Sequence, residues 1–206
     1  MKVYKNKEII RKTAIAGVVI ALAMVLPFIT GSIPTVGKVL SPMHIPAYLA
    51  GVLLGPITGG AVAFICPLIR SVAFGMPKLI TAVGMCFELF TYAFVFGLLV
   101  KLLPKRLPCL YASLVAAMIS GRLIGGAVKI VLLLFGAIEK YSFSAFLTGY
   151  FVNALPSIVI QLVVIVPMLY ALSRAGLFKY DFGGIDLKKS VPSDVKNNEK
   201  EELCEE

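Results

Sequence analysis

The sequence has few charged residues and few residues of the kinds that ligate metals or attack substrates. Only 15% of its 206 residues are charged, against about 25% in ordinary soluble domains. Its single histidine, His44, excludes the histidine pair of a zinc protease. Its four cysteines are widely spaced with no C-x-x-C pair, so they indicate neither a zinc site nor a redox motif. We interpret them as packing residues, since a free cysteine behaves as a small hydrophobe.

Enzyme motifs are missing as well. Neither H-E-x-x-H nor G-x-S-x-G occurs in the sequence. The segment from Gly31 to Lys38 resembles a phosphate-binding loop, but its glycines are one residue too far apart and Val39 replaces the required Ser or Thr. The chain is therefore not predicted to be an enzyme, to bind a cofactor or metal, or to hydrolyse ATP itself.

Apolar residues dominate the chain: 59% are hydrophobic and the mean hydropathy is +0.92. A helix that spans a bilayer needs about 20 mainly apolar residues. The stretch between Arg11 and Arg174 has room for six such helices. We predict an all-α membrane protein, a bundle of six transmembrane helices over residues 13–30, 44–54, 57–74, 79–103, 109–135 and 144–172.

The basic residues lie at the predicted helix ends, where the positive-inside rule places them, and not in the clustered patch that nucleic acid requires. No nucleic-acid partner is therefore predicted. Residues 1–12 are rich in Lys and Arg and are expected to stay in the cytoplasm as a retained start rather than a cleaved signal. The membrane domain spans residues 13–175. Residues 176–206 are polar and predicted to be a disordered cytoplasmic tail, which makes the chain a multi-pass protein of the cell membrane.

Polar side chains inside the predicted spans are the candidates for a binding site. A charge in the middle of a bilayer costs at least ~2.5 kcal/mol, so such residues normally face a protein interior or a cavity. The outer histidine, His44, either contacts the ligand or caps its helix. The others are Arg70, Glu88, Arg122, Lys129, Asn153, Ser157 and Gln161.

Two polar stripes are predicted to face each other and to line a cavity that opens outward. Arg122 and Lys129 lie seven residues apart on one face of a helix, and Asn153, Ser157 and Gln161 repeat every four residues on the next. The excess of basic over acidic residues suits a ligand with a carboxylate, which Arg holds through two parallel bonds. Alternatively, Glu88 only neutralises a buried base and joins two helices, and Arg70 only snorkels to the interface.

Small residues four apart allow helices to approach closely. On the fifth predicted helix we interpret them as internal packing. On the first helix, where Gly17 and Ala21 form such a pair, internal packing and contact with another subunit stay open.

The chain resembles the substrate-binding S component of an energy-coupling factor (ECF) vitamin transporter. The resemblance covers residues 8–175 and rests on RKTAIAGVVIALAMVLP, on LSPMHIPAYLAGVLLGPITGGAVAFICPLIRSVAFGMP, and on GRLIGGAVK followed by FLTGYFVNALPSIVIQ. It implies a six-helix subunit that binds a vitamin or precursor near the outer surface. Such a subunit topples in the bilayer when a transmembrane coupling protein and two ATPase subunits act.

The resemblance also implies roles for particular residues. Glu88, Arg122, Lys129 and Asn153 are expected in the ligand region, with residues 31–43 as a gate. Members carry an Ala-x-x-x-Ala pattern that docks on the coupling protein. Here its nearest match is Gly17-x-x-x-Ala21, preceded by Ala14. The sequence looks closest to the pantothenate-type branch, while folate, a queuosine precursor and other small vitamins stay open.

The sequence leaves two other functions open. A stand-alone secondary transporter would need no partner and would usually have internal repeats, which are not evident here. A membrane scaffold would use its buried charges for packing only.

Overall fold

The computed structural model describes residues 2–31, 43–104, 106–135 and 155–174. These residues form helices and turns and no strand, which confirms the all-α prediction for this part of the chain. The helices are α1 (Lys2–Gly31), α2 (His44–Leu54), α3 (Pro56–Phe74), α4 (Leu79–Leu102), α5 (Leu107–Leu134) and α6 (Leu155–Arg174).

Four of these helices are long and apolar enough to cross a membrane: α3, α4, α5 and, within α1, Ile9–Phe28. The other two helices have shorter apolar segments, His44–Leu54 in α2 and Ser157–Ser173 in α6. At 1.5 Å per residue the 11 residues of α2 extend only about 16 Å. The structure thus supports a membrane protein with four long candidate spans, while six complete spans and the cytoplasmic position of both termini stay predictions.

One helix bound differs clearly from the predicted one, namely the start of the first helix. The first helix starts at Lys2 instead of residue 13, because the basic segment before the span contains good helix formers and no Gly or Pro. The described part of the last helix begins at Leu155. The residues before it, 136–154, lie outside the described part of the chain, as do the predicted gate residues 32–42 and the tail.

Helices α2 and α3 form the predicted hairpin. Gly55 joins them with a φ of 90°, a conformation that favours glycine, and Pro56 then begins α3. Just beyond the turn the two backbones touch: a Cβ atom on Gly59 would lie 2.7 Å from the Cα atom of Gly51. The hairpin therefore depends on glycine at its closest point.

Helix α4 is the centre of the bundle and packs against α2, α3 and α5. Its contact with α2 is made by backbone atoms. A Cβ atom added to Gly51 would lie 2.8 Å from the carbonyl carbon of Ala93, and a Cβ atom added to Gly97 would lie 2.8 Å from the carbonyl carbon of Gly51. Its contact with α5 is antiparallel, because Gly121 faces Tyr92 while Lys129 contacts Gly84. Three helices are thus fixed in register.

The direction of α1 follows from its aromatic contacts. Phe28, near the end of α1, packs edge-to-face on Phe74, the last residue of α3, with 4.8 Å between ring centroids. Helix α1 therefore runs parallel to α3 and antiparallel to α4. Two basic segments consequently lie at the same end of the bundle: the start of α1, and the turn between α4 and α5 with Lys101 and Arg106. The positive-inside prediction requires this arrangement. We call this the lower end, and the opposite end, where α4 begins, the upper end.

The sides of the helices carry the residues expected of a protein in lipid. Cys66 and Cys86 are buried free thiols, in keeping with their interpretation as packing residues. Large apolar side chains cover the outer surfaces of α3 and α5, among them Ile57, Ile65, Val72, Ile119, Leu123 and Ile130. An exposed apolar belt of this kind suits contact with acyl chains and not with water.

Candidate functional site

Glu88 occupies the middle of a buried polar cluster. It lies in α4, and its Oε1 atom accepts a hydrogen bond of 2.7 Å from the hydroxyl of Tyr92, one turn further along the helix. The imidazole Nε2 of His44 lies 3.7 Å from the same oxygen. Burying a carboxylate without partners costs far more than burying a neutral group. The two partners thus explain how Glu88 is accommodated inside the bundle.

Helices α2 and α4 supply matching pairs of side chains. His44 and Tyr48 are four residues apart on α2, as Glu88 and Tyr92 are on α4, so each pair lies along one face of its helix. The ring centroids of His44 and Tyr92 are 5.0 Å apart, and those of Tyr48 and Tyr92 are 5.4 Å apart. The four residues form two stacked layers between the helices.

His44 is the first residue of α2, which is a short helix. It contacts Glu88, which is nine residues into α4 and therefore about 13 Å from the upper end of that helix. His44 is thus part of the interior cluster.

Helix α5 brings two basic side chains to the cluster. Gly121 and Gly125 allow α5 to approach α4, because a Cβ on Gly125 would lie 3.0 Å from Glu88 Oε2 and one on Gly121 would overlap the ring of Tyr92. Arg122, next to Gly121, is buried and interacts electrostatically with Tyr48 and Tyr92. Lys129 lies two turns higher beside Gly84 and interacts with Glu88. The predicted internal packing of the small residues on the fifth helix is confirmed.

The cluster has an order along the bundle axis, which the antiparallel register fixes. Lys129 lies nearest the upper end, Glu88 and His44 lie about one turn deeper, and Tyr48, Tyr92 and Arg122 lie deepest. The ring of Phe96 packs against Tyr48 at 5.4 Å and closes the lower side. We call these residues the polar column: His44, Tyr48, Glu88, Tyr92, Arg122 and Lys129.

The hydroxyl of Tyr48 stands out within the polar column. Tyr48 is fully buried, and among the residues that the structure describes its hydroxyl has no hydrogen-bond partner. A buried tyrosine hydroxyl usually finds a partner, and leaving one without costs about 1–3 kcal/mol. Arg122 and Glu88 are the charged groups that act on this side chain.

The polar stripe predicted on the sixth helix is described in part. Ser157 and Gln161 are both buried in α6, and the Gln161 amide donates a hydrogen bond of 2.8 Å to the Ser157 hydroxyl. Helix α6 packs against α5, the helix of Arg122 and Lys129. Asn153 lies outside the described residues. That the two stripes line one cavity stays a prediction.

Arg70 is not part of the polar column. Its Nη1 donates a hydrogen bond of 3.0 Å to the carbonyl of Met24 in α1, and its guanidinium lies 5.2 Å and 5.8 Å from the ring centroids of Phe28 and Phe74. These contacts join the upper ends of α1 and α3 and agree with the alternative in which Arg70 has an interfacial role. Of the described residues, those that carry charge in the column are therefore Arg122 and Lys129 on one side and Glu88 on the other, apart from the histidine His44.

The small residues of the first helix face outward. Ala14, Gly17 and Ala21 are all exposed, and a Cβ on Gly17 would have no atom within 4 Å. Helix α1 instead packs on α2 and α3 through its opposite side, where Val19 and Ala23 are buried. Within the described part of the chain, these three residues pack on no other helix, and contact with another subunit stays a prediction.

Tyr48 and Tyr92 were missed in the sequence analysis, which selected charged residues, a histidine, amides and a serine but no tyrosine. A usable signal was present: each tyrosine follows an ionisable residue by four positions on an apolar helix. At that spacing the phenol and the ionisable group lie on the same face, so the phenol is placed to bond to it.

Comparisons with known proteins give one match. A family model described as "ECF transporter, substrate-specific component" matches residues 11–170, well over half of the chain. No curated protein and no solved structure matches.

Proposed function

Because the chain belongs to the family of substrate-specific components of ECF transporters, we propose that it captures one small anionic vitamin or vitamin precursor at the outer side of the cell membrane. Pantothenate is the leading candidate. The site is the polar column together with Ser157 of α6 and with Asn153, which the sequence assigns to it. Transport is driven by ATP hydrolysis in partner subunits, and the chain itself is not an enzyme.

The observation that carries this proposal is the charge balance of the buried column. Glu88 is held by His44, Tyr92 and Lys129, while Arg122 lies one turn deeper on the facing helix. Among the described residues of the column, two bases stand against one acid, and a net positive charge is costly in a low-dielectric interior. An anionic ligand compensates that charge, and a carboxylate matches the fork geometry of arginine.

The partners follow from the family and from the surface of α1. A substrate-specific component works with a transmembrane coupling protein and two ATPase subunits. We propose that Ala14, Gly17 and Ala21 form the docking face for the coupling protein, because this exposed row of small residues allows a partner helix to approach closely.

Native mass spectrometry of the intact protein, purified in mild detergent, tests the proposal directly. We expect one acidic small molecule per chain, with the mass of a vitamin or precursor. If the protein arrives empty, titration with a panel of vitamins follows, and no binding by any acid in that panel would reject the proposed function in favour of a scaffold.

A further inference from the structure

The lowest level of the polar column combines a buried hydroxyl with a buried guanidinium. Tyr48 comes from α2 and Arg122 from α5, and the charge of Arg122 acts on the Tyr48 side chain. The Tyr48 hydroxyl is fully buried and has no hydrogen-bond partner among the described residues. Below it the ring of Phe96 offers no polar atom. The hydroxyl is therefore a donor placed beside a cation and enclosed by rings.

We propose that the Tyr48 hydroxyl and the Arg122 guanidinium together bind the carboxylate of the ligand, so that the acid group enters first and stays at the deepest level. This inference rests on the proposed function and adds α2 to the helices that contact the ligand. A phenol O–H and a guanidinium are both donors, and a carboxylate accepts several hydrogen bonds at once. The pair is thus matched to an anion and not to a cationic or purely apolar group.

The middle level of the column argues for the same orientation. Glu88 carries a negative charge one turn above Tyr48 and would repel a carboxylate at its own level. Lys129, at the upper level, already interacts with Glu88. At the deepest level the hydrogen-bond donors lie farthest from the carboxylate of Glu88. The carboxylate of the ligand is therefore favoured at this level.

The spacing of the levels also defines the ligand. One helical turn is about 5.4 Å, so a group of the ligand at this distance from its carboxylate lies at the level of Glu88 and His44. Glu88 accepts one hydrogen bond from Tyr92 and has acceptor sites left over. The ligand is therefore an acid with an N–H or O–H donor about 5 Å from its carboxylate, a class that includes acids built on β-alanine.

The experiment measures binding of four acids, namely pantothenate, folate, biotin and nicotinate, and their methyl esters to the full chain in detergent. In the wild type we expect one acid to bind better than its ester. In Tyr48→Phe, which removes only the hydroxyl, we expect that acid to bind about ten-fold more weakly or worse, with little change for the ester. Tyr111→Phe, at an exposed tyrosine of α5, is the matched control and should behave as wild type.

Each other result counts against the inference in a defined way. Unchanged acid binding in Tyr48→Phe, or an equal loss for acid and ester, would overturn this inference and leave the proposed function standing. A lower melting temperature of unliganded Tyr48→Phe would also overturn it, because the hydroxyl would then already have a partner in the protein. Failure of the wild type to bind any acid of the vitamin panel, these four included, would overturn the proposed function, and this inference with it.

Discussion

Among single residues, Arg122 and Arg70 make opposite contributions although both are arginines within apolar helices. Arg122 lies in the polar column beside Tyr48, whereas Arg70 bonds to the Met24 carbonyl and lies over two phenylalanine rings. The sequence treats the two alike, because each is one cation in an apolar run. Only their neighbours on other helices separate Arg122, which we propose faces the ligand, from Arg70, which joins α1 to α3.

Arg122→Gln is therefore expected to weaken binding of the acidic ligand by about 10-fold to 100-fold, since hydrogen bonds to charged groups contribute about 1.5–3 kcal/mol. Titration of the purified variant by calorimetry measures this. Arg70→Gln is the matched control, with the same chemical change outside the column, and should keep wild-type affinity while losing the contact between α1 and α3. Equal affinity losses in both variants would show that Arg122 acts through the fold and not on the ligand.

At the scale of helices, the contact between α4 and α5 depends on the absence of a side chain at one position. Gly121→Ala would press a methyl group into the ring of Tyr92. Overpacking of this kind costs about 1–3 kcal/mol, more than the roughly 1 kcal/mol that alanine gains over glycine in a helix. We expect a lower melting temperature in detergent, and weaker ligand binding because Tyr92 and Glu88 would shift.

Gly84→Ala is the control for that substitution. Gly84 is also buried in α4, but its added methyl group would meet only Lys129, at ordinary contact distances of 3.8 Å and 3.9 Å. This variant should be as stable as wild type or slightly more stable. If the melting temperature of Gly121→Ala equals or exceeds that of Gly84→Ala, the result would contradict the described register of α4 and α5.

The helices themselves were largely predictable, and the exceptions have local causes. The second predicted helix, 44–54, agrees with α2 at both ends, and three others agree within about two residues, because Gly55-Pro56 and the segment Gly75 to Pro77 are strong breakers. The start of α1 was missed because hydropathy reports where lipid begins and not where the helix begins. Length was decisive in α2, whose 11 residues place His44 deep in the bundle.

The site was predictable in its charged members and not in its geometry. Glu88, Arg122 and Lys129 stand out as charges in apolar runs, and the structure brings them together. Tyr48 and Tyr92 are amphipathic and do not stand out, and their contact depends on the register between α2 and α4. That register is set by close contacts at Gly51 and Gly97. A pattern of small residues in the sequence predicts that helices approach closely, but it does not predict which residues of the two helices meet.

For the whole molecule, the polar column and the exposed face of α1 lie on different helices, so the binding and the docking that we propose for them are separable by mutation. Ala21→Leu adds bulk to an exposed position and should leave ligand affinity and melting temperature unchanged. It should reduce co-purification with the coupling protein and ATPase subunits, and uptake with it, by about ten-fold or more, because small residues allow the close approach of helices.

The control is Ala116→Leu, the same substitution on the exposed side of α5, which should assemble and transport as wild type does. Both variants are compared in cells that express the complete transporter. Normal assembly of Ala21→Leu would exclude this face as the docking surface, whatever the ligand of the column proves to be.

The backbone contact between α2 and α4 also limits how the gene for this protein can change. All codons for glycine begin with the same two bases, and every missense change at Gly51 or Gly97 adds at least a Cβ atom that would overlap the main chain of the facing helix. Neither position can be relieved by a change at a second side chain, because the obstacle is backbone. In a library of all single substitutions, these two codons should therefore tolerate silent changes only, while the neighbouring outward-facing codons vary freely.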